Sequence, residues 1–175
     1  MWLNGPALPQ ANRGATMARL GSIPEGVAGA KATMKAMRDL VLAAVRDPSQ
    51  QVRETALSII GNAGFSDQAR RLQQWVNTNI RYINDPPTVE LVQTPQYTLQ
   101  QRAGDCDDQS VLLASMLDSI GHPARFIAVG LSGAPLSHVM VQTLIGTQWV
   151  GAETIIPRPL GWMPSPITSH YIVKV

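Results

Sequence analysis

Ala103-Gly104-Asp105-Cys106-Asp107-Asp108 stands immediately ahead of the strongest helical pattern in the chain and carries its single cysteine. The pattern predicts a helix from about Cys106 to Ile120, with Leu112, Leu113, Met116, Leu117 and Ile120 on a core face and Gly121 and Pro123 as the stop. A lone thiol is thereby set at a helix N-terminus. Unpaired backbone N–H groups and the positive end of the macrodipole favour a thiolate there and can cradle a neighbouring oxyanion. The buried face is expected to begin only at Val111, which leaves Cys106 at a polar mouth. The three aspartates favour the helix start but oppose a thiolate by like-charge repulsion, so a paired imidazolium is required. At least two of the three are expected to act as caps. No metal site is expected of them, because adjacent helical side chains diverge.

Beyond this helix the pattern turns to strands: Arg125 to Gly130, His138 to Ile145, Gln148 to Ile156 and Ser169 to Val175, separated by Gly and Pro clusters. His138 and Glu153 lie on either side of Ile145-Gly146-Thr147. A two-residue turn at Ile145-Gly146 sets them directly opposite, and one at Gly146-Thr147 makes them diagonal neighbours on one face. A three-residue turn would separate them. In either of the first two registers Glu153 would orient the imidazole of His138, which would take the proton of Cys106 and return it to a leaving amine. His122 and His170 read as ordinary surface or turn residues. Ser132, in Gly130-Leu131-Ser132-Gly133, lacks the spacing and strand-to-helix context of a serine nucleophile.

Towards the N-terminus, Ser66 is expected to cap a helix with Ala69, Leu72, Trp75, Val76 and Ile80 on one face, ended by Asp85-Pro86-Pro87. Residues 86 to 103 read as an irregular crossing. Met34, Met37, Leu40, Val41, Ala44 and Val45 mark an earlier helix. Asp47-Pro48-Ser49-Gln50 reads as a restart, with Asp47 as N-cap, followed by a stripe of Val52, Ala56, Leu57 and Ile60. Residues 1–30 are a Gly/Pro-rich extended arm, 31–64 a helical hairpin extension and 65–175 a cysteine core domain. An arm with no core of its own is expected to lie on a protein partner or a second copy of the chain. The fold class is α+β, helices first and then an antiparallel sheet under the central helix.

Composition excludes several alternatives. Mean hydropathy is near zero and 45% of the 175 residues are apolar, as in soluble globular chains. Net charge is only +2 with no Lys/Arg run, so nucleic-acid binding is not expected. One cysteine excludes an internal disulfide and multi-cysteine metal sites. No apolar stretch approaches the roughly 18 residues of a membrane span, and Met1 to Leu20 lack a secretory pattern. A cytoplasmic location is expected, and no cofactor.

The motifs resemble those of the transglutaminase-like superfamily, a branch of the papain-like cysteine-enzyme fold, over roughly residues 68 to 158. The resemblance rests on Trp75 to Tyr82, Ala103 to Ser110, Gly121-His122-Pro123-Ala124-Arg125-Phe126, Ser137-His138-Val139 and Trp149 to Thr154. It implies Cys106 as nucleophile, His138 as base and acid, and Glu153 as orienting acid where the family usually carries aspartate. It further implies acyl transfer or hydrolysis on peptide or side-chain amides. The second oxyanion donor is left among Gln93, Gln96, Gln100 and Gln101. The alternative is an inactive domain with a structural role, for example in assembly of a bacteriophage particle, where a virion location would follow.

Overall fold

A computed structural model describes residues 17–21, 27–86 and 90–175. Strand β1 (Met17–Gly21) precedes helices α1 (Val27–Val45), α2 (Gln51–Ile60) and α3 (Phe65–Asn79). Short strands β2 (Arg81–Tyr82), β3 (Glu90–Gln93) and β4 (Ala103–Gly104) flank helix α4 (Pro95–Gln101). The central helix α5 (Cys106–Ser119) leads into β5 (Ala124–Leu131), β6 (His138–Ile145), β7 (Gln148–Ala152) and β8 (Ile167–Lys174).

Eleven of the fourteen residues of α5 are buried, because α1 to α4 pack around one side and the sheet lies against the other. A helix walled in all round has no wet stripe. Burial accordingly starts at Asp108, Gln109 and Ser110 rather than at Val111. Met34, Met37, Val41 and Ala44 of α1, Val52, Ala56 and Ile60 of α2, and Ala69, Leu72 and Val76 of α3 join Leu112, Leu113, Met116 and Leu117 in one core. Two arginines close helix ends in this layer: Arg53 donates to the Ser119 carbonyl and Arg71 to the Ile60 carbonyl.

The sheet is antiparallel in the order β7-β6-β5-β8. Its alternation is plain: Ala124, Phe126, Ala128, Val139 and Val141 face the helices, while Ile127, Val129 and Met140 face away under Met163. Arg53 thus holds the C-terminal end of α5 and the inward sheet residues hold one side of it, while Arg71 closes the end of α2.

Several expected details change. The 86–103 segment holds a strand and a helix, not an irregular crossing: Thr94 Oγ1 accepts the Tyr97 N–H, and Pro95 takes the first helical position, where its missing donor costs nothing. Asp47 does not cap α2. Its carboxylate accepts from the Ser49 N–H and from Gln96 Nε2, and α2 starts later, at Gln51, behind Gln50, which has φ 52°. Gly64, not Ser66, precedes α3, and α3 ends at Asn79, well before Asp85. Leu57 is exposed. Within the 1–30 stretch, β1 pairs antiparallel with β3 of the same chain and α1 begins at Val27. Residues 1–16 of the arm lie outside the described residues, as do 22–26.

Candidate active site

Helix α5 starts with a reciprocal cap. Asp105 Oδ1 accepts from the N–H groups of Asp107 and Asp108 at 3.0 and 3.2 Å, and Asp108 Oδ2 accepts from the Asp105 N–H at 3.2 Å. Two of the three aspartates are therefore caps. Asp108 also reaches outside its own helix, where its Oδ1 accepts from the Gln93 N–H at 2.7 Å and ties β3 to the helix start. Its side chain packs on Gly104, where a Cβ would stand 2.5 Å from Asp108 Cβ. Only a residue without a side chain fits this approach. Burial, followed by the charge of Asp105, pushes the Asp108 carboxyl up to about 7, against the pull of its two N–H partners.

Cys106 is half-buried and packs against the edge of the core. Its thiol donates to Asp107 Oδ1 at 3.5 Å. Burial, then the charges of Asp107 and Asp105, push the thiol well above its ordinary range, while the Val139 N–H beside it acts in the opposite direction. The resting sulfur is thus a neutral thiol. Asp105, Cys106 and Asp107 each bring one polar atom within 4.8 Å of the others. The expected divergence fails because Asp105 precedes the helix and folds back to cap it, while Asp107 takes the Cys106 thiol.

His138 opens β6. Its Nε2 meets Glu153 Oε2 at 2.8 Å, leaving Nδ1 as the ring nitrogen that Glu153 does not engage. The pairing follows from the turn: Ile145 faces Gln148, so Gly146-Thr147 form the bend, with Gly146 at φ 60°. Continuing the Val141–Ala152 register by one residue sets Glu153 opposite Met140, diagonal to His138. The longer glutamate side chain spans that diagonal. Glu153 is only 2% exposed. Burial raises its carboxyl, but the His138 hydrogen bond and charge, with the N–H groups of Ile155 and Ile156, outweigh it and hold the pKa below the ordinary range. Among the described residues no hydrogen bond joins the Cys106 thiol to the His138 ring; the sulfur faces the main chain of the next residue, Val139.

Sequence reasoning missed the residues that hold this geometry. Gln73 of α3 donates to the carbonyls of Glu153 and Arg158, both at 2.9 Å, and Asn77 donates to the Thr154 carbonyl at 2.7 Å. Gln109 donates to the carbonyls of Gly104 and Ile80, joining α5 to β4 and the end of α3. The available signal was a polar amide, Gln73, interrupting the apolar stripe of Leu72 and Val76. Of the four glutamines considered as oxyanion donors, Gln96 is committed to Asp47, and the Gln93 side chain accepts from Thr98 Oγ1 at 3.1 Å. His122 also departs from expectation: it is fully buried, stacked on Phe65 at 3.8 Å, with Nε2 3.0 Å from Gln68 Oε1. His170 is exposed on β8.

A family model described as the transglutaminase-like superfamily matches residues 50–154, more than half of the chain. That match begins ahead of α2, which the sequence resemblance leaves outside. Two solved structures share the fold. One is a candidate protease from Parabacteroides distasonis, at 14% identity and a TM-score of 0.58, covering 81% of this chain and 31% of its own. The other is a candidate cysteine protease from Cytophaga hutchinsonii, at 15% identity and a TM-score of 0.53, covering 80% of this chain and 55% of its own. The chain thus spans about a third of the first and about half of the second. No curated protein matches the sequence.

Proposed function

We propose that this chain, which belongs to the transglutaminase-like superfamily, is a thiol hydrolase or acyltransferase acting on peptide or side-chain amides. The observation that carries the reading is the capped helix start bearing Cys106, beside a strand that opens with a His138 held by buried Glu153. His138 Nδ1 removes the thiol proton as the sulfur attacks the amide carbonyl. Because burial and two aspartates keep the thiol neutral, proton removal and attack proceed together rather than from a resting thiolate. The ring closes on the sulfur with substrate bound, as catalytic hydrogen bonds commonly do. The tetrahedral oxyanion takes N–H donors from Cys106 at the helix start and from Val139. Glu153 stabilises the imidazolium, which protonates the leaving amine. Water or an amine then takes the acyl group from sulfur.

The test is intact-mass measurement of Cys106 alkylation by iodoacetamide at neutral pH. His138→Ala is expected to slow labelling at least tenfold, general-base contributions being on the order of 10²–10⁴ in turnover. An unchanged rate in that variant removes the base and with it the enzyme reading. A second reading, a binding or assembly domain without turnover, has two supports: the raised thiol and its lack of a hydrogen bond to His138. An unchanged rate is the result that reading expects.

A further inference from the structure

Tyr82 is the last residue of β2, and its partner across the parallel pair is Gly104, two residues ahead of Cys106. Neighbouring strands lie about 4.8 Å apart and carry partnered side chains on one face. On that face Asp108 closes over Gly104, so Tyr82 leaves β2 on the face that Asp108 occupies. The Ile83 N–H bonds the Gly104 carbonyl at 3.2 Å and locks this placement. Tyr82 and Ile83 are nonetheless 44% and 45% exposed. The Tyr82 hydroxyl donates to Asn84 Oδ1 at 2.8 Å, which commits its one proton and leaves the oxygen lone pairs to accept.

We propose that Tyr82 is a substrate-binding residue whose hydroxyl oxygen accepts a hydrogen bond from the N–H of the amide lying against Cys106. The inference rests on Cys106 as the reacting centre of the proposed hydrolase or acyltransferase. The surroundings select a donor as the ligand group. Burial, then Cys106 and the carboxylates of Asp105, Asp107 and Asp85, oppose ionisation of the phenol, so the hydroxyl stays neutral. An N–H meets both the lone pairs and this acidic field favourably, whereas an ester oxygen or a dialkylated nitrogen meets neither. The site therefore prefers primary and secondary amides over esters and tertiary amides.

The experiment compares Cys106 alkylation by iodoacetamide with that by 2-iodo-N,N-dimethylacetamide, each normalised to glutathione. In both probes the sulfur displaces iodide, and only the first offers an N–H. The wild-type chain is expected to favour iodoacetamide about two- to tenfold beyond glutathione, the worth of one hydrogen bond. In Tyr82→Phe the preference falls to the glutathione value while the dimethyl probe keeps its rate. A preference retained in Tyr82→Phe overturns the proposal, and so does an equal slowing of both probes, which marks lost packing. His138→Ala separates the two readings: failure of the base leaves both rates unchanged there without touching the probe preference.

Discussion

Two buried carboxylates of the site have opposite titration behaviour, and each is decided by its own partners. Glu153 has an imidazole and two N–H groups and is held below its ordinary range. It contributes stability that is present above its unfolded pKa and lost as pH falls through the lower folded value. Asp108 has two N–H partners but a neighbouring carboxylate and almost complete burial, and its pKa rises from 3.8 to about 7. Between those values the folded chain holds a proton that the unfolded chain has released, so Asp108 makes stability fall as pH rises from about 4 to 7. The limiting slope is about 1.4 kcal/mol per pH unit. Chemical denaturation across pH 5 to 7 should therefore give a shallower decline for Asp108→Asn than for the wild-type chain. Parallel curves for the two would refute the assignment.

Among the elements, α5 depends on contacts made by neighbours that are short and sequence-local. Asp105 and Asp108 cap it reciprocally, Gly104 lets Asp108 approach, and β3 reaches the same carboxylate through the Gln93 N–H. Gly104→Ala places a Cβ against Asp108 Cβ with no flexible chain end to give way. Overpacking of this kind costs roughly 1–3 kcal/mol, and the displaced first turn carries Cys106 with it. The expected result is a lower melting temperature together with slower Cys106 labelling. Wild-type melting in Gly104→Ala would mean that the helix start is looser than this packing requires.

Across the described residues the helices lie against the four-stranded sheet, and the candidate site is at their seam. Cys106 belongs to the helical layer and His138 to the sheet, while Glu153 follows β7 directly, because that strand ends at Ala152 and not at the expected Ile156. Gln73 bridges them by holding two carbonyls of the loop that follows β7. Gln73→Leu keeps the volume but strands those carbonyls, a loss of roughly 1–3 kcal/mol by the cost of an unpaired buried group. Equilibrium unfolding should register that loss, and Cys106 labelling should slow as Glu153 loosens; unaltered unfolding would show that the layers are joined elsewhere. No helix of the described residues is long and apolar enough to cross a membrane.

The chain alone determined the features written in short-range chemistry. Gly104-Asp105-Cys106-Asp107-Asp108 specified a capped helix with a thiol at its mouth, because caps and stops act within one turn. Period-two alternation after Ala124 specified the strands. Tertiary structure decided whatever depended on distant partners. The Gly146-Thr147 bend is one of three open turns until β6 and β7 pair, and that register sets Glu153 diagonal to His138, where the two side chains bond. Pro95 lies in a stretch that reads as an irregular crossing, and Thr94 with the pairing of β3 and β1 sets it at a helix start. His122 reads as a surface or turn residue, but Phe65 and Gln68 close over it. The physical reason is common to all three: local backbone preferences differ by about a kcal/mol, and burial against a distant segment is worth more than that.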